Sequence, residues 1–147
     1  MGYKNASSTY KETKVKTAGQ GQLIVMLYAE AVKQLTNAIE LMELNKSDKK
    51  DPGRIEKISK AVMKTEEILT ELMVSLNFEQ GGDISKNLFS LYTWFNRELM
   101  EANINQDIKR IKTVRDMIND LKNAWSNVAS QAPVEQPGES VGLNIAG

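Results

Sequence analysis

From Leu23 onward the apolar residues Ile24, Leu27, Ala31, Leu35, Ala38 and Met42 recur every three or four positions, the interval that lines up side chains on one face of an α-helix. The spacing predicts a first helix over roughly 20–45. Val25, Tyr28, Val32 and Ile39 widen its apolar face beyond a single stripe, so the helix should touch two neighbours rather than one. The polar stretch between Asn45 and Gly53 contains Asp51-Pro52, a capping side chain followed by proline at the first helical position. A second helix therefore starts there, with Ile55, Ile58, Val62, Ile68, Leu69, Leu72 and Leu76 on one face.

Gly81-Gly82 is the expected stop of that helix, through the left-handed cap that glycine adopts without strain, and Asp83 is the expected cap of the next. The third helix carries Ile84, Leu88, Leu91, Phe95, Leu99 and Ala102, flanked by Tyr92 and Trp94, and ends near Ala102. Asn103 and Asn105 bracket Ile104 as caps, and Asp107 falls in the first turn of a fourth helix, where the dipole favours an acid. Ile108, Ile111, Val114, Ile118, Leu121, Trp125 and Val128 then define the buried face.

Short polar links force consecutive helices side by side, which predicts an all-α fold, an antiparallel four-helix bundle over residues 18–130. Residues 1–17 form a polar, flexible N-terminal segment. Residues 131–147 contain Pro133, Pro137, Gly138, Gly142 and Gly147 and show no helical period, so they read as a flexible C-terminal tail. The chain has 147 residues, enough for a single core, since at roughly 150 residues about 70% of the unfolded surface is buried.

Lysine plus arginine number 19 and aspartate plus glutamate 19, so no net field draws the chain to nucleic acid or anionic lipid. There is no cysteine and no histidine, which removes thiolate chemistry, cysteine metal sites and the usual proton-transfer group near neutral pH. The di-metal carboxylate sites of some four-helix bundles use a Glu-x-x-His pair on each of two helices, and that pair cannot form here. Glu66, Glu67 and Glu71 read as the wet face of the second helix, Gly19-Gln20-Gly21 and Gly81-Gly82-Asp83 as helix termini rather than phosphate loops, and Met26, Met42, Met63, Met73 and Met117 as core. No catalytic residue, metal or cofactor and no small-molecule substrate is expected. The segment before Thr17 lacks the apolar run of a signal peptide, and nothing later approaches the ~18 consecutive apolar residues of a membrane span; the expected compartment is the cytoplasm, without membrane insertion.

Tyr10, Val15, Thr17-Ala18, Leu23-Ile24 and Met26-Leu27-Tyr28, followed by Gly81-Gly82-Asp83-Ile84-Ser85, Asn87-Leu88 and Leu91-Tyr92, and then Leu99, Ala102-Asn103, Asp107 and Trp125, together resemble the flagellin-specific export chaperones of bacteria, the FliS family. The order and separations of these pieces cover about residues 8 to 128. The chain departs from the family pattern with Gly19-Gln20 where a small polar residue and proline are usual, with Trp94 where tyrosine is common, and with Ala29-Glu30 in place of an acidic-Gly pair.

The resemblance implies a non-enzymatic chaperone that holds the C-terminal segment of flagellin, prevents premature polymerisation, and works with the flagellar export apparatus. That segment would fold into helices as it binds, a helix-in-groove recognition coupled to folding. The candidate partner-binding residues are Leu23, Ile24, Leu27, Tyr28 and Ala31 on the wide face of the first helix. In free members of the family the N-terminal segment covers this face, so Tyr10 and Val15 are the expected lid. The alternative is a self-associating structural or regulatory bundle, in which the surplus apolar face pairs with a second copy.

Overall fold

The computed structural model describes residues 19–48 and 51–131. Four helices account for nearly all of them: α1 (Gly19–Ser47), α2 (Pro52–Val74), α3 (Phe78–Asn105) and α4 (Ile108–Gln131). They form a four-helix bundle in which α1 packs on α2 and α4, α2 packs on α3, and α3 packs on α4. Cross-helix contacts fix the antiparallel sense. Tyr28 near the start of α1 meets Trp125 near the end of α4, whereas Glu43 near the end of α1 pairs with Lys112 near the start of α4 at 3.3 Å. At 29 residues, α1 is about 43 Å long. Its wide apolar face is buried by two neighbours, as its sequence pattern requires.

The helix ends show where local sequence governs the chain. Asp51 caps α2 as its sequence predicts: its carboxylate accepts from the Gly53 amide at 2.9 Å, and Pro52 occupies the first turn. The buried Asn45 ties this cap to the end of α1 by accepting from the Arg54 guanidinium at 3.0 Å and the Asp51 amide at 3.4 Å. Asp107 likewise accepts from the Arg110 amide at 3.2 Å at the start of α4.

The junction of α2 and α3 differs from the sequence expectation. α2 stops at Val74, well before Gly81-Gly82, and Asn77 rather than Asp83 caps α3, accepting from the Gln80 amide at 3.0 Å. The physical reason is that an asparagine side chain satisfies the orphan amides of a first turn wherever the chain reverses. The glycines then break the helix just begun: Gly82 takes φ 54° and ψ −128° inside α3, a conformation that a Cβ would strain. Ser85 spans the break by donating to the Asn77 carbonyl at 3.0 Å. At the other end α3 runs on to Asn105, and Gln106, not Asn103, takes the left-handed cap.

The core is continuous and apolar, built from Leu35, Ala38 and Met42 of α1, Ile58, Val62, Ile68 and Leu69 of α2, Phe95 and Leu99 of α3, and Ile111, Val114 and Ile118 of α4. Leu121 and Val128, expected on the buried face of α4, are only half-buried. Ile55, Met63 and Ile84, expected in apolar stripes, are exposed. In each case the residue sits at the edge of its stripe, where one step along a helix turns the side chain by about 100°.

Candidate functional site

Leu23, Ile24, Leu27, Tyr28 and Ala31 lie together at one end of the bundle, and all five are buried. Tyr28 organises this end. Its ring is 6.5 Å from that of Trp125, and its hydroxyl hydrogen-bonds the hydroxyl of Tyr92. This bond joins α1 to α3 across the diagonal of the bundle, between helices that are not neighbours. Burial pushes the Tyr28 phenol far above its ordinary value and that of Tyr92 up to about 12, so both stay neutral and the pair acts as a fixed polar pin. Tyr10 and Val15 lie outside the described residues.

A second surface runs along the outer seam between α2 and α3, and its register follows from one contact. Ser59 of α2 and Asn103 of α3 hydrogen-bond through Oγ and the amide group. Antiparallel helices rise equally per residue, so seven positions along α2 and seven back along α3 set Glu66 level with Asn96. A further seven set Met73 level with Phe89.

This seam is polar at its middle and apolar at its edges. The Asn96 Oδ1 atom is buried and has no hydrogen-bond partner. Glu66 is half-buried, and burial alone raises its carboxyl above the usual range, with no cation opposing it. Met63, one turn before Glu66, and Met100, one turn after Asn96, are about half exposed, at 55% and 51%. Phe89, about three turns from Met100 along α3, is also exposed and meets Phe78 edge-on at 6.0 Å. Ile104 extends the apolar edge at the far end.

Sequence reasoning assigns Met63 to the core and Glu66 to the wet face, and does not single out Phe89, Met100 or Asn96. The signal that exposes the seam is the seven-residue series Ser59, Glu66, Met73 and Phe89, Asn96, Asn103, which gains meaning only once the two helices are paired.

The neighbouring seam of α3 and α4 is closed by charge. Arg110 donates through Nε and Nη2 to both carboxylate oxygens of Glu98 at 3.0 and 2.8 Å, and through Nη2 to Glu101 at 2.6 Å. The hydrogen bonds from Arg110 hold the Glu98 carboxyl below its ordinary value. Among the described residues no group of carboxylates, histidines or cysteines could hold a metal ion, and no helix is long and apolar enough to cross a membrane.

Sequence comparison with known proteins covers almost the whole chain. The family described as Flagellar protein FliS matches residues 3–132. The flagellar secretion chaperone FliS of Salmonella typhimurium is 30% identical over 136 residues, covering 92% of this chain and 95% of that protein. That of Escherichia coli is 28% identical over 127 residues, 86% of this chain and 88% of the relative. The Bacillus subtilis protein of the same name is 27% identical over 125 residues, 85% of this chain and 86% of the relative. With the match running from before the first helix to the end of the fourth, the chain belongs to the FliS family.

Proposed function

We propose that the protein is a cytoplasmic flagellar secretion chaperone that binds the C-terminal helical segment of flagellin, keeps it from polymerising prematurely, and delivers it to the flagellar export apparatus. The observation that carries this reading is the family match across the bundle, with relatives named flagellar secretion chaperones aligned over most of their own length. The bundle supplies what such a task needs: a stable apolar frame and grooves between long helices that can seat a further helix.

Leu23, Ile24, Leu27, Tyr28 and Ala31 form the floor of the proposed partner-binding end, with Tyr10 and Val15 as a displaceable lid above them. Because these five side chains are buried, their truncation lowers stability as well as affinity, and a melting curve has to accompany each binding measurement. Deletion of residues 1–17 is the better probe of the lid. It should leave flagellin binding intact and expose apolar surface; unchanged solubility together with unchanged affinity would remove the lid from the account.

Calorimetric titration with a peptide of the flagellin C-terminus, with circular dichroism before and after mixing, tests the function directly. One-to-one binding with a large negative heat-capacity change and gained helicity is expected, because coupled folding buries apolar surface. Absence of binding by the folded bundle would contradict the reading.

A further inference from the structure

We propose that residues 141–145 of this chain lie extended in the outer groove between α3 and α4 and cover it in the free protein. They fall outside the described residues. The shape of the groove, the place where α4 ends and the pattern of the residues beyond it together select this occupant.

The register of the groove is set by the Arg110–Glu98 pair. Antiparallel helices rise equally per residue, so seven positions back along α3 and seven on along α4 set Leu91 level with Met117. A further seven set Ile84 level with Ala124. Leu91, Trp94, Met117 and Leu121 pack on the core with one side and stay half-buried, and Ile84 is exposed. Charge closes the seam only at the Arg110 end, where Glu98 and Glu101 hold the guanidinium. The rest is an apolar trough from Ile84 to Trp94, about 15 Å long.

The trough lies beside the exit of the chain from the bundle. α4 ends at Gln131, so the chain leaves only about 10 Å beyond the level of Ala124 and Ile84. The family match stops at residue 132, and the segment that follows belongs to this chain rather than to the shared bundle. Pro137-Gly138 is a turn-forming pair. Beyond it Val141, Leu143 and Ile145 alternate with Gly142 and Asn144, which in an extended chain sets the three apolar side chains on one side. Five extended residues span about 16 Å, close to the length of the trough. Val141 then meets Ile84, Leu143 meets Leu91 and Leu121, and Ile145 meets Trp94 and Met117.

Residues 140–147 carry no charged side chain, so no ionised group is drawn onto apolar walls. Attachment to α4 supplies a high effective concentration, and a short tethered segment needs little contact area. A second copy of the chain fits less well. A trough about 15 Å long and roughly 10 Å wide offers far less than the ~800 Å² per partner of a stable interface.

The chain has no cysteine, so an introduced pair reports proximity without interference. The test oxidises two double variants of the full chain. In Asn87→Cys/Leu143→Cys the α3 position is exposed on the trough face, one turn from both Ile84 and Leu91; in Lys64→Cys/Leu143→Cys the α2 position is exposed on a helix that does not pack on α4. The first should form its intramolecular disulfide about tenfold faster, through the local concentration of the docked segment. In parallel, Val141→Ser/Leu143→Ser/Ile145→Ser should roughly double acrylamide quenching of tryptophan fluorescence, because a covered indole face returns to water at Trp94 while Trp125 stays buried. Circular dichroism establishes that each variant keeps its helices. Equal oxidation rates for the two pairs, or quenching unchanged by the triple variant, would overturn the proposal. A disulfide-linked dimer as the main product of the first pair would assign the trough to a second copy and overturn it as well.

Discussion

The two long seams on opposite sides of the bundle are built differently. Between α1 and α4 the contact is apolar and extensive: Leu27, Tyr28, Ala31 and Leu35 face Ile111, Val114, Ile118 and Trp125 in one core, with the Tyr28–Tyr92 hydroxyl pair as an internal polar pin. Between α2 and α3 the outer edge carries the Ser59–Asn103 hydrogen bond, the half-buried Glu66 and Asn96, and the exposed side chains of Met63, Met100 and Phe89. The first arrangement maximises removal of apolar surface from water. The second leaves the Asn96 Oδ1 atom without a hydrogen-bond partner and a half-buried acid at Glu66. The α1–α4 side of the bundle is the more completely closed of the two.

Substitutions can test this contrast, and the largest effect is expected on the α1 side. Leu35 is fully buried, and Leu35→Ala should lower stability by about 2–5 kcal/mol through lost transfer energy and a residual cavity. Urea unfolding followed by circular dichroism measures it; a loss near zero would mean that α1 is not the centre of the core.

Removing one hydroxyl of the diagonal pin is the next test. Tyr92→Phe leaves the buried Tyr28 hydroxyl without its Tyr92 partner, and the expected cost is about 1–3 kcal/mol. The same unfolding assay applies, and an unchanged midpoint would show that the hydroxyl pair contributes nothing to the frame.

Glu98 of α3 and Glu66 of α2 give opposite responses to pH. Arg110 lowers the folded pKa of Glu98, so the stability it contributes is full above the unfolded carboxylate pKa and disappears as pH falls through the folded value. Glu98→Gln should therefore flatten the acid limb of a plot of melting temperature against pH. Burial raises the folded pKa of Glu66. Its favourable contribution exists only below the unfolded pKa and is lost as pH rises through the folded one, so at neutral pH it weighs against folding. Glu66→Gln should raise the melting temperature slightly at pH 7 and leave it unchanged in acid, and a lower melting temperature at pH 7 would place Glu66 among the stabilising groups.

The smallest effect belongs to the exposed rim. Met63→Ser and Met100→Ser should each change stability by no more than about 0.5 kcal/mol, as is usual for surface positions. A larger loss in thermal melts would show that the rim belongs to the core and that the contrast between the two seams is overstated.

Much of the frame was legible from local signals. The three-and-four spacing gives four helices because it reports one continuous face at a time, and Asp51-Pro52 marks the start of α2 because a cap needs only its own neighbours. Asn77 was hidden by the Gly81-Gly82 pair, a stronger signal in sequence, although in the structure the glycines interrupt α3 rather than end α2. The wide face of α1 was legible as well, and Leu23, Ile24, Leu27, Tyr28 and Ala31 on it are buried within the bundle. Width shows that a face must be covered and does not name the cover. The α2–α3 seam was not legible, because the level pairing of Glu66 with Asn96 depends on two segments thirty residues apart coming into one register.

Hydrogen exchange of the full chain tests most directly the division between a tightly closed α1–α4 side and a more open α2–α3 side. In the free protein the amides of α1 between Ala31 and Met42 should exchange slowest, through near-global unfolding, and those of α3 faster. Equal exchange of α1 and α3 in the free protein would contradict the account.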